Sequence, residues 1–270
     1  METVKILNVP FDNITMLDLL ARLKSGGVVF TPNVDHLVKL QKDEEFCRAY
    51  GAATYKTCDS QIIMFAARFL GMPLKEKISG SDLLPAFYRY YAGDEDVRIF
   101  LLGAAEGVAE KARQAINRKV GREIVVGAHS PSFGFEKNPE ECQYLIDLVE
   151  ASGANVLALG VGAPKQEKWI AQYKDHFKTV TTFLAIGATI DFEAGNVKRS
   201  PKWITNLGCE WVYRLLSEPQ RLWKRYLVDD MVPIISLVLQ QKLGLYQPPY
   251  EIPTYDAQSE VQAKPLAPQH

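Results

Sequence analysis

The sequence predicts an α/β fold, a mostly parallel sheet flanked by helices, with a helical C-terminal appendage. Three observations carry that reading. Five short β-branched runs alternate with segments of helical spacing, the order expected of a parallel sheet with crossover helices. The runs are almost continuously apolar, as strands covered on both faces require. After about residue 196 the strand rhythm stops and a basic, aromatic, helical stretch begins.

Taken in order, "METVKILNVPF" alternates like a strand and lacks the basic and long apolar segments of a signal peptide. Thr15 is placed to cap a helix carrying Leu17, Leu20 and Ala21 at 3.6-residue spacing. The runs "VVFTPN", "VRIFLLGA", "EIVVGAHS", "NVLALGVGA" and "TTFLAIGATI" are the strands, and Ala109, Ala112, Ile116 and Val120 mark a helix between two of them. The resulting architecture is Rossmann-like, with an α/β core over 1–195. Residues 196–245 form the helical appendage, in which Pro201 and Pro219 suit first helical turns. From 246 to 270, five of the fifteen prolines fall in a polar tail expected to be disordered.

Composition narrows the partners. The 31 basic and 32 acidic residues leave a net charge of −1, which argues against a whole-protein binder of nucleic acid. Cys47, Cys58, Cys142 and Cys209 show no C-x-x-C pairing, so they suit a reducing cytoplasm rather than a zinc site or disulfide framework. "MVPIISLVL" is less than half of the roughly 20 residues a membrane-spanning helix needs, and Pro233 interrupts it. Any membrane contact is therefore expected to be peripheral.

Parallel sheets bind ligands beyond the carboxyl ends of their strands, so the strand-to-helix turns hold the candidate residues. In "VVFTPNVDHL", Asn33 suits a helix N-cap, or Thr31 and Asn33 present polar groups to a ligand. His36 is expected to pack or face solvent. In "TYKTCDSQIIMFAARFLG", Asp59 is either an N-cap carboxylate or a general base. Cys58 beside it invites a nucleophilic pairing with His36 that the spacing does not demand.

"ALGVGAPKQEKW" ends a strand in Gly160 and Gly162 before Lys165 and Gln166, and free N–H groups at such a turn favour phosphate. Lys165 occupies the place of the third glycine of a dinucleotide fingerprint, and the end of a P-loop is absent. Gly103 and Gly107 in "LLGAAEGVAEKA" read equally as a dinucleotide turn or a packing turn. In "AIGATIDFEAG", Asp191 and Glu193 could hold a divalent metal on a diphosphate, or Asp191 alone could accept from ribose hydroxyls. The D-x-D of "GDEDVR" precedes its strand and so lies at the wrong end of the sheet.

The stretch "CEWVYRLLSEPQRLWKRYL" sets Arg214, Arg221 and Arg225 among Trp211, Trp223 and Tyr226. Between Lys198 and Arg225 there are seven basic residues against two acidic ones, opposing the neutral total. The arginines are an anion-binding neighbourhood or a solvated basic face. Pro219 implies convergence from two helices. Trp211, Leu215, Leu222 and Trp223 cover the core, meet a partner subunit in a homo-oligomer, or touch lipid.

Together, "TPNVDH", the Asp59 turn with "FLGMPLKEKISGSDLL", "LGVGAPKQEKW", "GATIDFEAGNVKRSPKW" and "EWVYRLLSEPQRLWKRYL" resemble the WecG/TagA/CpsF family of bacterial glycosyltransferases. The resemblance runs in order from residue 1 to about 245. It implies an inverting transfer of an N-acetylmannosamine-type sugar from a UDP donor to a polyprenyl-diphosphate-linked amino sugar, without a metal or other cofactor. It also implies work at the cytoplasmic membrane face, feeding wall teichoic acid, common-antigen or exopolysaccharide synthesis.

By the same resemblance Asp59 is the catalytic base, Thr31 and Asn33 contact substrate, and Gln166 lies in the PKQE block. Gly162, Lys165, Gln166 and Asp191 fall on the UDP side, and Arg214, Arg221 and Arg225 on diphosphates. Cys58-Asp59-Ser60 departs from the family's usual A-D-G. Two rivals remain at the level of sequence: a nucleotide-cofactor oxidoreductase sharing the glycine turns, and a nucleic-acid-binding module using the basic appendage.

Overall fold

The structure, a computed structural model, describes residues 2–197, 220 and 223–253, with the backbone alone at 225–228. An antiparallel hairpin, β1 (Thr3–Ile6) and β2 (Val9–Asp12), precedes a six-stranded parallel sheet. The sheet comprises β3 (Gly27–Phe30), β4 (Tyr55–Lys56), β5 (Ile99–Gly103), β6 (Val125–His129), β7 (Val156–Gly160) and β8 (Thr182–Ala185), in the order β4-β3-β8-β7-β5-β6. All five predicted runs are strands, and the sheet is parallel throughout.

The apolar runs are explained by two cores. Phe30, Phe100, Leu102, Leu157, Leu159, Phe183 and Ala185 pack on one face, where α2 (Val34–Lys39), α3 (Glu44–Ala49), α4 (Gln61–Leu70), α7 (Pro139–Ala151) and α8 (Lys165–Tyr173) lie. Val29, Ile99, Leu101, Val156, Ala158 and Leu184 alternate onto the other, against α1 (Met16–Arg22), α5 (Gly80–Tyr90), α6 (Val108–Val120) and α9 (Thr189–Glu193). Strand side chains alternate between faces, so a run buried on both is apolar at nearly every position.

Thr15 caps α1 as expected, its side chain accepting from the Asp18 N–H. Of the counted positions Leu20 is buried, but Leu17 and Ala21 are exposed, and Leu19 fills the core in their place. The helix is only seven residues long, so its buried stripe is set by docking rather than by the pattern counted from Leu17.

A π-helical turn over Lys224–Met231 leads into α10 (Val232–Lys242), which buries Ile234 and Val238 in the first core. The Gln241 side chain accepts from Leu7 N (2.8 Å) and donates to Lys5 O (3.1 Å), tying α10 to the hairpin. The tail expected to be disordered from 246 is packed over its first eight described residues. Tyr246 donates to Gln41 Oε1 (2.6 Å), Asn8 Nδ2 donates to Tyr250 O (3.1 Å), and Tyr246, Tyr250 and Ile252 lie on the core. Prolines dominate the composition there, but these three large side chains have apolar surface to bury.

The turns after β5, β7 and β8 meet backbone to backbone. A Cβ built on Gly103 would stand 2.4 Å from Gly160 O, and one on Gly160 would stand 2.5 Å from Gly187 O. Gly103 also has φ +138°, which side chains rarely adopt. Gly103→Ala is accordingly expected to destabilise the fold by about 2 kcal/mol or more. Chemical denaturation of the variant beside the wild type measures the difference.

Candidate active site

At one end of the sheet, β4 runs through Thr57 and Cys58 into Asp59. The expected cap role falls to its neighbour: Ser60 is the N-cap of α4, its Oγ accepting from Ile63 N (3.4 Å). The Asp59 carboxylate is thus not the one that caps α4. Asp59 N donates to Pro32 O (2.9 Å), which fixes the Asp59 turn against the turn after β3. Asp59 is half-buried at the carboxyl edge, where parallel sheets take their ligands.

Asn33 does cap its helix, with Oδ1 accepting from His36 N (3.2 Å), while remaining half-buried at the same edge. Thr31 is buried, and its hydroxyl reaches Ala185 O at 3.5 Å, joining the ends of β3 and β8. The Cys58–His36 pairing is not formed. Burial pushes the Cys58 thiol up to about 12, its sulfur faces Ser60 O (3.4 Å), and the His36 ring nitrogen Nδ1 bonds the Tyr50 hydroxyl (2.6 Å). A thiol so disposed is inert.

The turn after β7 departs most from expectation. Two of its N–H groups are engaged within the protein: Gly162 N donates to Gln166 Oε1 (3.3 Å) and Gln166 N to Gly162 O (3.1 Å). Gln166 Oε1 also accepts from Gly187 N (3.2 Å) in the turn after β8, and Nε2 donates to Glu167 Oε1 (2.7 Å). Gln166 is 3% exposed, so its place is between the turns rather than on their surface. α8, at Pro164, and α6, at Gly107, both start without a side-chain cap, so the cap favours neither as the anion donor.

β5 leads to β6 and β7 leads back to β8, so the chain diverges to opposite sides of the crevice between β5 and β7. That is the switch point of this sheet. Lys165 is partly exposed there, its ammonium 4.9 Å from the ring centre of Phe133. Across the edge, Asp59 and the Gly162 turn are three strands apart, roughly 14 Å at ordinary strand spacing.

Asp191, in the first turn of α9, is partly buried, and that burial raises its carboxyl above the usual range. Glu193 does not join it as a metal pair. Two residues along a helix turn by about 200°, and Glu193 is taken up by Lys119 (2.6 Å) and Tyr88 (3.3 Å). Among the described residues no cluster of three metal-ligating side chains occurs.

Three residues escaped the sequence reading. Phe133 is 100% exposed on a loop pinned by Ser130 to Ala105 O (2.8 Å) and by Ser132 Oγ to Glu141 (2.6 Å), offering a bare aromatic face beside Lys165. Lys77 stands near the Asp59 turn, its charge acting on Cys58, because Ile78 N donates to Cys58 O (2.8 Å). Glu167 is fully buried with Oε2 unpartnered. Phe133 and Lys77 stand in no recognisable motif position; Glu167 ends the PKQE block, and its adjacency to the glycine turn was the one signal. Arg214 and Arg221 lie outside the described residues, as does the Arg225 side chain.

The fold is thus that of an α/β protein whose candidate site lies at the carboxyl ends of parallel strands, where such sheets take ligands. The chain belongs to the glycosyl transferase WecG/TagA/CpsF family, whose model matches residues 4–248. It is a glycosyltransferase of cell-surface polysaccharide synthesis, and this takes the place of the oxidoreductase reading. No described helix is long and apolar enough to cross a membrane.

The electrostatics of Glu167 are measurable. Burial raises its carboxyl to about 7 from 4.5, with Asp35 adding to the rise and Gln166 and Lys39 opposing it. The raised value means the folded state holds this proton more tightly than the unfolded chain. Its contribution to stability is complete below pH 4.5 and is lost as pH rises through about 7. Glu167→Gln should therefore gain stability relative to wild type on going from pH 4.5 to 8, by a difference of order 3 kcal/mol; paired denaturation curves across that range check it.

Proposed function

We propose that the protein is an inverting glycosyltransferase that moves an N-acetylmannosamine-type sugar from a UDP donor to a polyprenyl-diphosphate-linked amino sugar. The observation that carries the reading is the division of labour at the end of β4. Ser60 caps the helix, and Asp59 is anchored by its backbone to Pro32 at the ligand edge.

In this reading the Asp59 carboxylate takes the proton of the acceptor hydroxyl as its oxygen attacks the anomeric carbon. The bond from that carbon to the UDP oxygen breaks, UDP leaves on the opposite side, and the configuration inverts. Asn33 and Thr31 frame the acceptor side, with Thr31 acting from beneath. Gly162, Lys165, Gln166 and Asp191 border the donor side, and the bare ring of Phe133 suits a nucleobase face. Arg214, Arg221 and Arg225 are proposed to meet the diphosphates with charge-assisted hydrogen bonds, so the departing charge needs no metal.

The lipid-linked acceptor calls for peripheral contact with the inner membrane face. Exposed Ile235 and Leu239 on α10 with Leu243 at its end, and exposed Phe65 and Phe69 on α4, against which α10 packs, with Met72 just beyond it, support it. Lys242 lies over the Phe69 ring at 5.5 Å, an apolar surface edged by a cation.

Asp59→Asn should abolish transfer, by about a thousandfold or more, while UDP binding measured by calorimetry stays near wild type. Substantial turnover in that variant removes Asp59 from the role of base. Transfer should persist in EDTA; a strict requirement for added Mg²⁺ or Mn²⁺ in the same radiolabelled-donor assay would reinstate metal assistance.

A further inference from the structure

Gln166 is placed with its amide oxygen between two glycine N–H groups, Gly162 at 3.3 Å and Gly187 at 3.2 Å. Its nitrogen lies 2.7 Å from Glu167 Oε1. An amide can sit either way round in such a space, and only its partners decide which. Reversed, it would set its N–H₂ against two N–H donors and its oxygen against a carboxyl oxygen. Glu167 joins the two glycine amides in forbidding reversal, since Oε1 accepts in either protonation state.

The surroundings reinforce this. Glu167 is completely buried, on the α8 turn that packs near α3, with Tyr50, Asp35 and Lys39 as its charged or titratable neighbours. None of them supplies a hydrogen bond to Oε2, which has no partner. An uncompensated buried carboxyl oxygen is costly. Its companion oxygen therefore points to a task that an apolar side chain would not perform.

We propose that Glu167 is a positioning residue: it orients the Gln166 amide so that one oxygen holds together the turns after β7 and β8 at the ligand edge. Gln166 accordingly acts through those turns and not by touching the donor. This deepens the proposed transfer, because these turns border the donor side; it rests on that reading only for its kinetic measurements. Hydrogen exchange at the Gly162 and Gly187 amides reads the clamp whatever the substrate.

The test reverses the polarity of the pair. Q166E sets two carboxyls against each other and should raise exchange at both glycine amides and lower kcat, each by about tenfold or more. In Q166E/E167Q the new amide donates to the new carboxylate, whose other oxygen accepts from both glycines. Exchange and kcat should return to within about threefold of wild type. E167Q alone keeps an acceptor and should remain near wild type, whereas E167M should resemble Q166E.

A double variant no better than Q166E in exchange overturns the clamp. Recovered exchange without recovered kcat overturns the positioning role and returns Gln166 to direct substrate contact. Should E167M fail to fold, comparison of Q166E with Q166E/E167Q decides alone. Should no donor be turned over at all, the proposed transfer fails while the exchange measurements still judge the clamp.

Discussion

Gly103, Gly160 and Gly187 bring the ends of three neighbouring strands closer than any side chain permits, and the rest of the ligand edge is built from that contact. A Cβ at either of the first two would collide with the next carbonyl oxygen. With the backbones this near, Ala104 N reaches Gly160 O (3.2 Å) and a single glutamine amide spans two turns. Farther along the edge, Thr31 to Ala185 and Asp59 to Pro32 continue the same stitching to β3 and β4. The loops proposed to carry the chemistry are thus fixed by hydrogen bonds at their roots, which is the preorganisation a transferase needs at its developing charges.

At the same edge the helix caps fall to particular members of a row of neighbouring polar residues. Ser60 takes the cap of α4 and Asn33 that of α2, each by a side-chain oxygen facing the third N–H of its helix. Asp59, one residue earlier, is left at the strand end rather than in the helix. Ser60 in place of the glycine usual in the family therefore has a local consequence: a side-chain cap that glycine could not supply.

Much of the fold was legible because its signals are local. Alternate apolar positions facing two cores, and turn glycines at strand ends, appear in the sequence as unbroken runs such as "NVLALG". Asp59, Asn33 and the glycine turns were legible as candidates for the same reason, since parallel strands present their carboxyl ends to ligands. What the sequence left open was which of two equally suitable residues performs a role. Asp59 and Ser60 are both good caps; Leu17 and Leu20 both fit a helical stripe; Gln166 fits a ligand contact or an internal clamp.

By itself, then, the sequence determined the class of fold, the five main strands and the family, because hydrophobic period and ordered motifs are properties of neighbouring residues. Tertiary structure alone decided the strand order, the crevice between β5 and β7, the hydrogen bonds of the Gln166 amide, the separation of Glu193 from Asp191, and the packing of residues 246–253. Each of these depends on which distant segment lies opposite. A side chain's hydrogen-bond partner is set by that neighbour, and the chain's own order does not name it.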